Sequence, residues 1–293
     1  MKTAIMTDGN SGISAAEAEQ FGIFRMRMPV IIDGKDYFEE TNLTQDMFYS
    51  SMSEGRDVTT SQPSPGDVLD MWEHILGQGY DAIVYIPMSS GLSNSCVSAQ
   101  GLAQEYEGCV QVVDNHRISV TQRQSVFDAK LLADAGVTAA AIKEKLEESA
   151  YQSSIYLAVN TLEFLKRSGR VTAAAAALGT VLNIKPLLTI QGGKLDAFAK
   201  VRGIKKCEAR IIEAIRNDIA TRFSDADKSQ LIIGTAGTFL NPADAEAWCN
   251  AVKEAFEGIE VYYNQLSLSI GGHTGPNAIG VGVSVKVSAA VDA

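Results

Sequence analysis

Hydroxyls, one imidazole and clustered glycines are the groups in this 293-residue chain best suited to chemistry, and they fall into three short segments. Thr59-Thr60-Ser61-Gln62-Pro63-Ser64 presents hydroxyls, an amide and backbone N–H groups beside the start of a helix capped by Ser64. Such a place suits an anion, although an ordinary Ser/Pro turn has the same composition. Ser89-Ser90-Gly91-Leu92-Ser93-Asn94-Ser95 follows the apolar run Ala82 to Ile86, at the end of a parallel strand where open α/β sheets place their ligands. Its second half nearly makes the G-x-S-x-G turn that exposes a nucleophilic serine, but Ser95 replaces the final glycine. Ser93 is therefore either a helix cap or a ligand contact. In Gly271-Gly272-His273-Thr274-Gly275-Pro276, glycines and a proline fix a turn from which imidazole and hydroxyl can point into a cleft.

Other chemistry has little support. Asp8 follows the first strand as in aspartyl-phosphate phosphatases, but Asn10 stands where those enzymes carry a second acid. Neither G-x-x-x-x-G-K-[ST] nor G-x-G-x-x-G occurs, so no nucleotide cofactor is expected. His74, His116 and His273 are too dispersed for a metal cluster, and His74 and His116 read as structural or surface residues. Cys96, Cys109, Cys207 and Cys249 lack C-x-x-C spacing and read as reduced, buried thiols.

The elements that must position these groups are legible from periodicity. Thr3 to Thr7 reads as a buried strand, followed by a turn and a capping box in Ser14-Ala15-Ala16-Glu17. Phe24 to Ile32 and Lys35 to Glu40 flank Asp33-Gly34 as an edge hairpin. Ser64-Pro65 opens a helix whose Val68, Leu69, Trp72, Ile75 and Leu76 share one stripe, and the segment 59–64 is then a loop between two helices. Strands at Ala82 to Ile86 and Val110 to Val113 alternate with helices, which implies a parallel sheet. Beyond that, Leu187 to Ile190 and Leu195 to Val201 form a hairpin around Gly192-Gly193. A helix from Lys205 to Phe223, a strand Gln230 to Thr235, a helix Pro242 to Phe256 and strands Glu260 to Leu266 and Ala278 to Val287 complete a mixed lobe. The alanine tract Ala173 to Ala177 reads as a close-packed helix. The expected fold class is α/β in two lobes: an N-terminal parallel-sheet α/β domain over residues 1–160 and a C-terminal α+β domain with a mixed sheet over 161–293.

Composition narrows the function. A net charge of −10 and a pI near 4.9 repel phosphate backbones, so nucleic acid is not expected as a partner. With 46% hydrophobic and 20% charged residues the chain has an ordinary globular balance. No stretch is apolar enough for a transmembrane segment or a signal peptide, which points to a cytoplasmic location.

Taken in order, Thr7-Asp8, Thr60-Ser61-Gln62-Pro63, Ser89-Ser90-Gly91-Leu92-Ser93, Leu162 to Arg170, Asn183-Ile184-Lys185-Pro186, Lys200-Val201-Arg202 and Gly272-His273-Thr274-Gly275-Pro276 resemble the DegV family of bacterial fatty-acid-binding proteins. The resemblance runs almost end to end. It implies a non-catalytic lipid carrier of two α/β lobes, with the acyl chain buried in one and the ligand carboxylate at their junction. Thr60, Ser61, Ser93, His273 and Thr274 match positions that bind the carboxylate. Arg170 and Arg202 match basic positions near the pocket mouth, where contact with a partner or a phosphate is expected. The implied partner is a separate fatty acid kinase that makes an acyl phosphate for phospholipid synthesis.

The segment after Asp114 departs from the family pattern. Where the family has Asp-Ser-Lys and then a glycine-bearing helix start, this chain runs Asn115-His116-Arg117-Ile118-Ser119-Val120-Thr121-Gln122-Arg123-Gln124. The resemblance makes this helix a wall of the acyl tunnel, which Gln122, Arg123 and Gln124 either shorten, make more polar, or leave by facing solvent. Two other functions are kept in view: a hydrolase using Ser93 and His273, with Glu260 or Asp292 the nearest acids in sequence to the imidazole, and a carrier of a smaller polar metabolite.

Overall fold

A computed structural model describes residues 2–177 and 184–288, which divide into two compact units. The first holds residues 2–150, 267–269 and 287–288; the second holds the described residues of 151–266 and 270–286.

In the first unit β1 (Thr3–Asp8) leads through a tight turn to α1 (Ala15–Phe21), whose capping box uses Ser14 and Glu17 as expected. Then come β2 (Ile23–Met26), β3 (Pro29–Ile32), β4 (Lys35–Phe38), α2 (Gln45–Ser53), β5 (Val58–Thr60) and α3 (Pro65–Gly77). The unit continues with β6 (Ala82–Ile86), α4 (Ser95–Ala103), β7 (Val110–Val112), α5 (Ser119–Asp134) and α6 (Ala139–Glu148). Strands β2-β1-β6-β7 form a parallel sheet in that order. Helices cover both faces, so alternate strand residues feed separate cores. Ile5, Val84 and Ile86 pack with Val126, Leu132 and Ile142, while Met6, Ile83 and Tyr85 pack with Trp72, Ile75 and Cys96.

Two local expectations are corrected. Phe24 to Ile32 is not one strand: β2 joins the parallel sheet, and Pro29, which has no N–H to give a ladder, starts β3 in a separate sheet. Residues 58–60 are not loop but strand β5, because Val58, Thr59 and Thr60 suit a pleated ladder and pair with Ile32, Ile31 and Val30. The small sheet runs β4-β3-β5 and so places β3 at its centre rather than at an edge. Leu268, far along the chain, completes its core with Val30, Ile32, Phe48, Tyr49 and Val58. Beside it the Ser267 hydroxyl donates to Asn10 Oδ1 at 2.8 Å, and Leu268 N donates to Glu39 at 3.0 Å.

The second unit contains β8 (Ser153–Ala158), α7 (Glu163–Ser168), α8 (Ala173–Ala176), β9 (Ile184–Ile190), β10 (Asp196–Arg202) and α9 (Ile204–Thr221). It continues with β11 (Leu231–Gly237), α10 (Pro242–Ala255), β12 (Glu260–Gln265), all but the first two residues of α11 (Leu268–Thr274), and β13 (Ile279–Val285). Its mixed sheet runs β10-β9-β8-β13-β11-β12, parallel at β11–β12 and antiparallel at the other pairings. Ile211 and Ile215 of α9 and Trp248 and Val252 of α10 pack with Leu187, Ile233 and Val281. The Trp248 indole donates to Gly280 O at 2.9 Å, so the ring is buried without an orphaned N–H. The alanine tract is a single turn in which Ala175 is buried and Ala173 and Ala174 are exposed, so the expected close packing is limited to one residue. Asn183 and Asp292 lie outside the described residues.

Among the described residues no helix is long and apolar enough to cross a membrane, and no group of three or more His, Cys, Asp or Glu could hold a metal ion. Cys96, Cys207 and Cys249 are buried free thiols as expected, whereas Cys109 is exposed.

Candidate functional site

In the first unit β1 and β6 lie side by side and end together, Thr7 opposite Ile86. The turn that leaves β6 is pinned at nearly every backbone N–H. Met88 N donates to Asp8 Oδ2 at 2.8 Å, Ser89 N to Arg117 O at 2.8 Å and Ser90 N to Asp114 Oδ1 at 3.3 Å. Gly91 N donates to Ser89 Oγ at 3.1 Å, and Leu92 N and Ser93 N both donate to Ser89 O, at 3.0 and 3.2 Å. Ser95 N donates to Ser93 Oγ at 3.2 Å, but the N-cap position of α4 is Asn94, so Ser93 lies one residue ahead of the cap and its own O–H stays available. With the N–H groups engaged, the hydroxyls of this turn are what it can offer a ligand. Ser95 adds one that sequence reasoning passed over: its Oγ is buried without a partner among the described residues.

The second hydroxyl segment belongs to the same unit. Thr60 ends β5 opposite Val30, Ser61 N donates to Pro29 O at 3.2 Å, and Ser64 caps α3 by accepting from Asp67 N at 3.1 Å. Gln62 donates to Ser98 Oγ of α4 at 3.3 Å, which draws the segment toward the helix that follows Ser93. Thr60 is half-buried and Ser61 exposed.

Beneath the turn lies a polar layer. Gln122 and Gln124 are buried, so they do not face solvent; Gln124 donates to Asp128 at 2.7 Å, and half-buried Arg123 pairs with Glu17 at 2.7 Å. Arg117 is buried and donates to Ser149 O at 2.6 Å and Ser125 Oγ at 3.2 Å, and Asn115 donates to the same Ser125 hydroxyl at 2.8 Å. His116 and Ser119 hold positive φ of 58° and 55°, conformations that non-glycine residues keep only when their surroundings enforce them. Asp8, wholly buried, is raised by that burial to about 6 against the opposing bonds from Met88, Gln122 and Asn10. Asn10 is held by Ser267 and donates to Met88 Sδ at 3.0 Å.

In the second unit His273 does not sit in an irregular turn but in the last turn of α11, where Gly275 N closes onto Gly271 O at 2.8 Å. Thr274 uses its hydroxyl to donate to Ile270 O at 3.3 Å. Gly275 takes φ +73°, and a Cβ there would meet the Phe164 ring at 2.7 Å, so only glycine allows α7 to lie against this segment. Thr238 accepts from Ala278 N at 2.9 Å and donates to Gly275 O at 2.7 Å, and Asn277 takes φ 57°, which asparagine tolerates. Asn160 donates to Pro276 O at 3.0 Å and accepts from Lys185. Three of the motif segments therefore meet within this unit.

His273 is lowered to about 4, first by burial and then by Arg170 and Arg167, so the imidazole is neutral at neutral pH. Arg170 thus acts on His273, whereas Arg202 stands exposed at the end of β10 opposite Ile184 and is not among the charges that do. The depressed value has a sign. Stability from neutral His273 is present above its ordinary 6.5 and is lost as pH falls from there through about 4. Urea unfolding followed through Trp248 is expected to show that His273→Gln removes part of the acid destabilisation over this interval. An identical pH profile for both proteins would contradict it.

Residues 2–286 match the profile of a family described as uncharacterised proteins of the DegV family. A DegV domain-containing protein of Listeria innocua is 30% identical over 287 residues, covering 97% of this chain and 99% of the relative. Another from Deinococcus radiodurans is 30% identical over 96% of this chain and 98% of its own length. Among solved structures, a Thermus thermophilus DegV family protein described by its fatty acid binding superposes with a TM-score of 0.87 at 30% identity, covering 97% of this chain and all of the other. A fatty-acid-binding DegV protein from Bacillus subtilis gives 0.84 at 26% identity, covering 98% of this chain and 100% of that one.

Proposed function

The chain belongs to the DegV family, and from that premise we propose that it binds a long-chain fatty acid and performs no chemistry of its own. The observation that carries this reading is the full-length match to solved DegV proteins described as fatty-acid-binding, at up to 30% identity. Thr60, Ser61 and Ser93, with His273 and Thr274, take the carboxylate. Neutral His273 suits this role, because one imidazole N–H can donate to a carboxylate, which in turn raises the imidazole toward its ordinary value. About fifteen buried methylenes at ~0.8 kcal/mol each supply roughly 12 kcal/mol before the costs of association, so the chain provides affinity and the polar cluster orientation. The bound acid is presented to a separate fatty acid kinase, with Arg170 and Arg202 as contacts for that partner or for the phosphate it adds.

A hydrolase fits less well. A base at Ser93 would need an acid to raise its basicity, whereas the charges acting on His273 are the cations Arg170 and Arg167, and Glu260 is paired with Lys286. A smaller or more polar carboxylic acid is the second reading. It is favoured by the buried polar face of α5, where Thr121, Gln122, Gln124, Ser125 and Asp128 replace what an acyl chain would prefer.

Native mass spectrometry of protein purified from bacteria, with denaturing extraction of what it carries, separates these readings. One fatty acid per chain is expected, lost in Ser93→Ala and His273→Ala. Protein that arrives empty and does not load palmitate overturns the fatty-acid reading, and a bound short or hydroxylated acid establishes the second.

A further inference from the structure

Gln122 reaches from the first turn of α5 to the C-terminal ends of β1 and β6. Its Nε2 lies 3.2 Å from Thr7 Oγ1, 3.1 Å from Asp8 Oδ1 and 3.1 Å from Ile86 O, so two hydrogens are shared among three acceptors. Thr7 in turn donates to Ile86 O at 2.8 Å. Asp8 passes the constraint on: its Oδ1 also accepts from Asn10 N at 2.9 Å, and its Oδ2 accepts from Met88 N at 2.8 Å. Gln122 and Asp8 are both fully buried, and Gln122 keeps an Oε1 with no partner among the described residues. An apolar side chain would fill this space without an orphaned oxygen, so the bonds made by the nitrogen are the physical reason for an amide here.

We propose that Gln122 and Asp8 are a positioning pair that anchors the Met88–Ser95 turn to the sheet and sets where Ser93 meets a ligand carboxylate. The proposal deepens the fatty-acid-binding reading and rests on it for the ligand.

The charges around Asp8 are otherwise accounted for. Tyr85 of β6 is held neutral by burial and by the Asp8 charge, and Cys96 of α4 by burial and by Asp114 and Glu147, with a smaller push from Asp8 and an opposing one from Lys143. Arg25 of β2 pairs with Glu40, Arg123 of α5 pairs with Glu17, and Arg117 ahead of α5 donates to Ser125 and Ser149. Asp8 is raised to about 6, so it is the member of this set that changes charge as pH passes through that value. Ionised, it accepts from Met88 N and Gln122 as a charge-assisted partner; protonated, it is a weaker acceptor. Affinity and stability then move in opposite directions. A carboxyl raised from 3.8 to about 6 adds stability to the folded state as pH falls through that interval, while the turn it anchors loosens.

The test is palmitate binding by the full chain, wild type, Asp8→Asn and Gln122→Met, from pH ~5 to ~8, with thermal unfolding recorded alongside. Ratios to wild type cancel the ionisation of palmitate itself. Asp8→Asn is expected to bind about tenfold more weakly above pH ~7, with the ratio approaching one below pH ~5.5. Gln122→Met is expected to weaken binding throughout and to move the Asp8 midpoint upward, since it removes a donor to the ionised form. Variants that unfold earlier yet bind as tightly as wild type at every pH overturn the proposal. If wild type itself binds no palmitate, the fatty-acid reading fails, and hydrogen exchange at the Met88 amide decides the pair. A lower protection factor, the observed rate corrected for the intrinsic rate at each pH, in Asp8→Asn and in wild type at low pH supports it; an unchanged protection factor overturns it.

Discussion

Arg117→Ala is expected to lower the stability of the first unit by about 3 kcal/mol, the order of cost when a buried charged donor is removed and its acceptors stay unsatisfied. Arg117 is 1% exposed, and burial lowers its guanidinium to about 10, against the support of the Asp128 charge. Truncation removes the donor to Ser149 O and Ser125 Oγ and takes away a positive charge that interacts with buried Asp128. Arg117→Met restores volume but not charge and should recover little. Arg117→Met combined with Asp128→Asn removes both charges and should recover more, because the residual cost then is ordinary hydrogen bonding. The chain has two tryptophans, Trp72 and Trp248, one in each unit, so urea unfolding with single-tryptophan backgrounds reads the units separately. A change under ~1 kcal/mol in Arg117→Ala would show that the cluster contributes little to folding.

Gly275→Ala should destabilise the second unit by about 1–3 kcal/mol and weaken ligand binding with it. Two effects add. The backbone is held at φ +73°, and the new methyl would stand 2.7 and 2.8 Å from two atoms of the Phe164 ring. Phe164→Ala relieves the clash and leaves the backbone strain, so the double variant should recover part of the loss. Gly275→Asn should lose less backbone energy than Gly275→Ala, since asparagine accepts positive φ more readily. Because His273 sits two residues away in the turn that Gly275 closes, palmitate affinity should fall further than stability alone accounts for. Urea midpoints from Trp248 and palmitate titration measure the two components, and a Gly275→Ala protein as stable as wild type would remove the steric argument.

What could be read from the chain beforehand was what local chemistry decides. The helix opened by Ser64-Pro65, the Ser14–Glu17 capping box and the buried strands at 82–86 and 231–237 all carry their signals within a few residues. β5 and the break between β2 and β3 were not legible, because Val58, Thr59 and Thr60 become a strand only through Val30, Ile31 and Ile32, and that pairing is long-range. The site divides the same way. The glycines around His273 announced an unusual backbone, but not that Phe164 occupies the missing Cβ position. The serines of the 88–95 turn were visible, whereas the acceptors that engage its N–H groups, Asp8, Arg117 and Asp114, lie far away in sequence. Gln122 left three outcomes open because its partner Asp8 is 114 residues distant.

The return of Ser267–Ser269 to the first unit bears on how the chain is made. A ribosome delivers residues in order, and the small sheet of β3, β4 and β5 emerges with Leu268 still more than a hundred residues from synthesis. At 5–20 residues per second that interval is on the order of ten seconds, during which Phe48 and Val30 face an open socket and Glu39 and Asn10 wait for their partners. The nascent first unit is therefore a natural client for a chaperone until the last tenth of the chain has been translated. A stalled chain ending before residue 267 should remain protease-sensitive around β3 and β5, and one that extends past residue 269 far enough to clear the exit tunnel should not.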